Sequence, residues 1–504
     1  MDHDAGLASD VLIIGAGLSG IGMACHLAME HPDLRVTIIE RRAAMGGTWD
    51  LFRYPGVRSD SDMFTFGYAF RPWHALDVMA DGESIRRYVM ETAQQYAVDT
   101  KIRYGLKVVS AAWASEQRRW TVNVLDESRG QTSALTCRFL IVCTGYYNYD
   151  RGHLPHFPGE EQFRGLRVHP QQWPEGLDYH GKRVVIIGSG ATAVTLVPAM
   201  APDAAHVTML QRSPSYILSL PRFDTISAVL ERFLPKALVF RLARRRNIFL
   251  TRLIYKAARR WPDKVRAFLI NGVRKHLPAD ADMRHFTPDY APWDQRLCVV
   301  PDADLFEAIK SGKASVATDG IARFTEGGIR LQSGEELQAD IVITATGLEM
   351  QTLGGMTLQV DGQSRVMGEL VTYKGVLLQD TPNFGCVFGY TNAPWTLKAD
   401  LAARYLCRLL GYMHQRGIAV VTPRAPADER QEETIMGSLT SGYVQRGAPV
   451  LPRQGRAVPW RVLNNYERDC EMLLEQPVED AALEVERADS QDDSAKAHSA
   501  ALIG

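Results

Sequence analysis

Residues 11–14 form a short unbroken apolar run that stops at Gly15, and from 21 to 29 the apolar positions recur with helical spacing. A β-branched run at 36–39 follows and ends on Glu40. Strand, glycine turn, helix and strand within about 30 residues predict a βαβ unit. The order returns at 183–188, where another apolar run meets Gly188, with a helix predicted to Met200 and a strand at 207–210. Strands are also predicted at 120–124 and 139–143, and 316–346 alternates strand-like runs with turns. Two strands end alike: 139–143 runs into Thr144-Gly145, and 340–345 into Thr346-Gly347. The pattern predicts an α/β fold in which one unit occurs twice.

The two turns carry candidate chemistry. Gly15-Ala16-Gly17-Leu18-Ser19-Gly20 is a GxGxxG turn between strand and helix. Its first glycine permits the tight bend, the second lets the backbone approach a pyrophosphate, and the third lets the helix pack on the strand. Phosphates then sit at the helix N-terminus, where free N–H groups and the helix dipole favour anions. Glu40 ends the next strand, where an acid accepts hydrogen bonds from ribose hydroxyls, and it assigns this unit to FAD. Gly188-Ser189-Gly190-Ala191-Thr192-Ala193 is the second turn, with Ala allowed at its last position. The strand after it ends in Gln211-Arg212-Ser213, with no acid where Glu40 stands. An acid would repel a 2′-phosphate, whereas Arg212 pairs with one through charge-assisted hydrogen bonds. NADPH is therefore preferred to NADH. The plainer readings are a tight turn without a ligand and Arg212 as a solvated strand-end charge.

The fold class is thus α/β with two Rossmann-like dinucleotide-binding domains. The FAD domain is expected to be discontinuous, 1–145 and 350–475, around an NADPH domain at 146–216 and 293–349. Residues 217–292 read as a helical insertion rich in Arg and Lys. Its charges are either a solvated face or a basic amphipathic surface that rests on an anionic membrane. From 476 to 504 the chain is acidic, Ala- and Ser-rich and poor in aromatics, so a disordered tail is expected.

Composition adds exclusions. A length of 504 residues is too much for one core, and 46% hydrophobic with 23% charged residues is ordinary globular usage. A net charge of -1 gives no global field for nucleic acid, so small molecules are the expected partners. The seven cysteines are scattered without a CxxC pair, which argues against a zinc or other metal site and against a dithiol centre. With a polar, acidic start and no apolar run long enough to span a bilayer, a cytoplasmic protein is expected.

Gly47, Trp49, Tyr54-Pro55-Gly56 and Asp60 keep the spacing of one signature of the type I Baeyer-Villiger monooxygenases. Phe163, Gly165, His169, Trp173 and Pro174 keep the spacing of the other. The chain resembles that family to about residue 470, and 46–56, 292–298 and 389–400 resemble its ethionamide-activating subgroup. The resemblance implies that NADPH reduces FAD and that O2 forms a flavin C4a-peroxide. This peroxide inserts one oxygen beside a ketone carbonyl to give an ester or lactone, with sulfide or thioamide oxidation as a side activity. The family's catalytic arginine falls on Arg296, and Asp60 matches the acid that orients it. A guanidinium stays charged and presents a rigid fork of donors, which suits stabilisation of the reacting anions.

The same resemblance adds Thr48, Trp49, Asp50, Leu51, Arg58, Ser59, Asp60 and Val108 to the FAD site, and Val194 and Ser213 to the NADPH site. Trp395 is implied on the nicotinamide side, with a substrate-pocket aromatic as the competing role. His169 is expected to couple the domains and Trp173 to anchor the linker. One departure stands beside Arg296: many members have a lysine there that helps to read the 2′-phosphate, and this chain has Gln295. Arg212 and Ser213 then carry more of the NADPH selectivity. Three rival readings share the two turns: a monooxygenase that oxygenates only nitrogen or sulfur, a disulfide reductase, and a non-catalytic redox sensor that binds both nucleotides. The reductase needs a cysteine pair that the sequence lacks.

Overall fold

The computed structural model describes residues 8–437 and 439–488. Ala8–Ile14, Leu18–Glu30 and Val36–Ile39 form the first strand, helix and strand, and Ala8–Ile14 lies parallel to both Val36–Ile39 and Gln131–Val142. Leu12 and Ile13 are fully buried, because helices cover one face of this sheet and an antiparallel layer the other. That layer begins as the meander Leu106–Ala114, Arg119–Asp126 and Gln131–Val142, whose last strand runs on into the parallel part. Phe384–Cys386 adds to Gln131–Val142 from far along the chain.

A second, five-stranded sheet is wholly parallel. Its order is Ala314–Thr318, His206–Gln211, Arg183–Ile187, Ile341–Thr344 and Leu166–Val168. Ala191–Met200 is the helix after its glycine turn. The chain crosses between the two sheets twice, at Tyr147–Gly152 and Leu348–Met350, and the crossings pair antiparallel with each other. His169 packs on this ribbon: a Cβ placed on Gly152 would lie 1.9 Å from its ring. Its Nδ1 accepts the N–H of Gln171, and burial lowers its pKa, so the ring is held neutral. Trp173 is half-buried against the core of the second sheet.

Two expectations are corrected. The insertion opens with a strand, Ile217–Leu220, which pairs in parallel with Cys298–Pro301 and ties both of its ends to one place. Its helices are Thr225–Leu230, Lys236–Arg260 and Pro262–Arg274. The chain beyond 476 is also structured as far as described: Leu483–Arg487 pairs with Ile418–Pro423. The acids that suggested disorder have partners, since Asp480 accepts from Tyr373 and Lys374, and Glu479 from Tyr412. Residues 489–504 of the expected tail lie outside the described residues. Among the described residues no helix is long and apolar enough to cross a membrane.

The third glycine of the first turn is fixed by contact. A Cβ on Gly20 would lie 1.8 Å from the Gly15 carbonyl oxygen, whereas one on Gly190 would meet nothing within 4 Å. Overpacking costs about 1–3 kcal/mol when nothing can move aside. Gly20→Ala should therefore lower the thermal unfolding midpoint by several degrees, and Gly190→Ala should leave it nearly unchanged. Differential scanning calorimetry of the two variants checks this contrast.

Candidate active site

Both glycine turns end in helices prepared for an anion. Gly17 caps Leu18–Glu30 and Gly190 caps Ala191–Met200, each in extended conformation, with no side chain bonding the free N–H groups and no acid in the first turn. Elsewhere Asp62, Asp81 and Asp224 fill that role at helix starts. Gly15 has φ of 102° and lies against the Cys143 carbonyl, so only glycine fits this bend. Gly47 packs on Gly17: a Cβ there would lie 2.9 Å from the Gly17 Cα.

A cleft of about 680 Å³ opens along this turn, lined by Gly15, Gly17, Glu40, Gly47, Val108, Tyr147 and Tyr149, with Leu353 and Gly354 opposite. Glu40 is buried at its edge, its two oxygens accepting the N–H groups of Ala16 and Arg42 at 2.8 Å each. Burial pushes its pKa up while those donors oppose the shift. A buried acid fixed by two backbone donors, with lone pairs still turned to the cleft, suits hydroxyl donors of a ligand.

The segment from Gly47 to Asp60 bridges the two folds. Thr48 shares a hydrogen bond with Tyr147, and Trp49 meets Phe66 edge-on. Asp50 is buried and neutralised by Arg42 and Arg53, with Leu51 half-buried beside it. Gly56 touches the second nucleotide helix: a Cβ there would lie 2.6 Å from the Ala199 Cβ. Arg58 pairs with Asp304 of the second fold at 2.6 Å, so its charge serves the contact between folds. Ser59 is buried and accepts from the Ser61 N–H. Asp60, the last residue of the signature, lies close enough to Arg296 to hold its charge.

In the second turn the Ser189 hydroxyl donates to the Ser213 carbonyl at 3.0 Å, joining the turn to the end of the next strand. Thr192 reaches Tyr54 of the bridging segment, while Ala193 and Val194 are buried under the helix. Arg212 is exposed beside this turn. Burial, and after it the charge of Arg212, lowers the pKa of Arg446 on the short helix Gly442–Gly447. Two guanidiniums near enough to feel each other's charge, neither paired with an acid among the described residues, suit a shared anion.

Arg296 lies among Asp60, Tyr146 and Tyr443, and its side chain is exposed. Among the described residues it has no carboxylate within the 4.0 Å of an ion pair. Tyr146, Tyr443 and Asp60 together raise its pKa against the effect of burial, so it remains charged. The Tyr443 hydroxyl is placed to accept from the guanidinium, and burial pushes that phenol up to about 12. The loop carrying Arg296 is latched from outside: Thr440 donates its N–H and hydroxyl to the Asp294 carbonyl at 2.9 and 3.0 Å. The Asp294 carboxylate takes Arg259 of the insertion at 2.8 Å.

Trp395 stands at the start of Trp395–Arg416, its ring 5.2 Å from Tyr146 and its N–H donated to Ser19 at 2.8 Å. Most of the predicted residues therefore lie along two turns and one bridging loop, with Glu40 and Val108 on the cleft of the first turn, Trp395 at a helix start and Arg296 on a separate loop. Tyr146, Tyr443, Arg446 and Thr440 were missed by the sequence reading, since they belong to no motif and Thr440 joins Asp294 across 146 residues. Only Tyr146 had a signal, its place directly after Thr144-Gly145. All seven cysteines are unpaired.

Comparison with known proteins agrees with this geometry. The family described as flavin-binding monooxygenase-like matches residues 8–354. The chain is 59% identical over 478 residues to MymA of Mycobacterium tuberculosis, named as an FAD-containing monooxygenase, covering 94% of this chain and 97% of that one. It is 50% identical over 476 residues to the FAD-containing monooxygenase EthA of the same organism, with 94% and 97% covered. Among solved structures, a steroid monooxygenase bound to NADP superposes with a TM-score of 0.76 at 23% identity, covering 95% of this chain and 100% of that one. Cyclohexanone monooxygenase from Rhodococcus sp. Phi1 bound to NADP+ gives 0.74 at 21%, with 96% and 100% covered. At such identities the superpositions bear on the fold, while the family match and the curated relatives span most of the chain. The chain belongs to the flavin-binding monooxygenase-like family.

Proposed function

We propose that this chain is an FAD- and NADPH-dependent Baeyer-Villiger monooxygenase, which converts ketones to esters and ring ketones to lactones. The observation that carries the reading is Arg296, a charged guanidinium between two dinucleotide folds with no carboxylate paired to it among the described residues. Both cofactors fit the residues present. FAD would be held by Gly15, Gly17, Gly47 and the buried Glu40, and NADPH by the turn from Gly188 with Arg212 on its 2′-phosphate. When bound, the flavin supplies the redox chemistry and the activation of oxygen, which no side chain here can provide.

The side chains set orientation and charge. Arg296 presents fixed donors where negative charge develops on the reacting oxygens, and such preorganised donors need no rearrangement as the reaction proceeds. Asp60 and Tyr443 aim the guanidinium without neutralising it by a direct ion pair. Trp395 and Tyr146 wall the approach with aromatic surface and keep water from it. Sulfides and thioamides, which are soft nucleophiles, are proposed as side substrates for the same oxygen donor.

Incubation with NADPH, oxygen and a panel of linear, cyclic and aryl ketones, followed by gas chromatography, tests the reading. At least one ketone should give an NADPH-dependent ester, such as benzyl acetate from phenylacetone. Oxidation of sulfides while no ketone reacts would favour the nitrogen- and sulfur-oxygenating reading. Slow NADPH oxidation that no ketone stimulates would favour the non-catalytic sensor. For the cofactor, removing a charge-assisted hydrogen bond costs about 1.5–3 kcal/mol. Arg212→Ala should therefore raise KM for NADPH about tenfold or more and leave KM for NADH within about twofold. Equal changes for both would show that Arg212 does not read the phosphate.

A further inference from the structure

Large apolar side chains left in water are concentrated in one part of this molecule. Of nineteen among the described residues, twelve fall between 220 and 268, including Phe233 at 80% exposure, Phe268 at 68% and Ile226 at 59%. Single exposed apolar residues are ordinary, but a cluster of this kind marks an interaction surface. The three helices that carry most of them pack in succession: Thr225–Leu230 against Lys236–Arg260, and that helix against Pro262–Arg274.

The central helix adds charge of one sign. Lys236–Arg260 holds nine Lys and Arg and no acid. Four of the nine are occupied: Arg244 donates to carbonyls of Phe64 and Gly67, and Arg246, Arg252 and Arg259 pair with Asp224, Glu467 and Asp294. Lys236, Arg241, Arg245, Lys256 and Arg260 have no acidic partner among the described residues. Leu242, Phe249 and Leu253, spaced by seven and four, share one stripe of the helix and are exposed. Arg245, Lys256 and Arg260 follow the same stripe at neighbouring turns.

Apolar side chains interleaved with cations that lack an acidic partner among the described residues, on helices too polar to span, describe a surface that lies in the headgroup region of a bilayer. We propose that the outward face of residues 225–268 docks on an anionic lipid membrane. A second copy of the chain is a poor occupant, because a two-fold contact would set this uncompensated positive face against itself. An anionic bilayer offers apolar depth and negative charge together. The inner side of the same helix points the same way. Ile248, Thr251 and Tyr255 wall a cavity of about 760 Å³ with Pro394, Leu397 and Tyr466. Tyr390 and Asn464 are shared with the neighbouring cavity, which Tyr146 and Trp395 line. Docking thus sets the first of these cavities one helix away from the lipid, and only its use as an approach to Arg296 rests on the proposed function.

Co-sedimentation of the full chain with vesicles tests the docking independently of catalysis. The protein should pellet with phosphatidylcholine vesicles containing phosphatidylglycerol, and far less with phosphatidylcholine alone or at high salt. The double variant Phe249→Glu/Leu253→Glu should lose binding by roughly tenfold or more while keeping its unfolding midpoint, and Arg245→Glu/Lys256→Glu should do the same. Absence of the wild type from every vesicle pellet would overturn the proposal. So would analytical ultracentrifugation that shows an oligomer broken by Phe249→Glu/Leu253→Glu, since a second copy would then cover the face.

Discussion

A positive charge set between the folds without an ion-pair partner among the described residues is the constraint on which this structure turns. Removing a guanidinium from water is expensive unless donors are satisfied or opposite charge is near. Here Arg296 keeps its side chain exposed, has two phenols and Asp60 around it, and is carried on a loop latched by Thr440. None of these neutralises it by direct contact. The field therefore remains available to a ligand beside it, which is what an electrostatic role in oxygen transfer requires.

The arrangement also explains why one signature is so long. Its first residues pack on the first glycine turn, Tyr54 and Gly56 meet the second nucleotide helix, and Arg58 reaches Asp304. Asp60 then arrives beside Arg296. A segment that must touch both folds and end at the charge between them has little freedom in spacing. The paired crossings at Tyr147–Gly152 and Leu348–Met350, with neutral His169 packed on them, are the other joint between the folds.

Local pattern made much of this legible. Both βαβ units, the strand at 139–143 and the helical character of the insertion could be read because periodicity and glycine turns are local signals. What could not be read depended on distant partners. Ile217–Leu220 is a strand only because Cys298–Pro301 lies beside it, and the acidic segment after 476 is ordered because Tyr373, Lys374 and Tyr412 receive its charges. In the site, the glycines and Glu40 were visible in their motifs, whereas Tyr443 and Arg446 lie on a six-residue helix with no pattern of its own. The side chain of Arg58 turned to an ion pair between folds, which spacing cannot foretell.

The central claim is that the charge of Arg296 serves oxygen transfer and not the reduction of flavin by NADPH. Stopped-flow reduction and product analysis of Arg296→Ala test it most directly. Flavin reduction by NADPH should persist near the wild-type rate, because it needs only the nicotinamide in place. Ester formation should fall by about a hundredfold or more, the scale on which a preorganised donor to a developing anion acts. Equal loss of both half-reactions, or ester formed at an unchanged rate, would contradict the account.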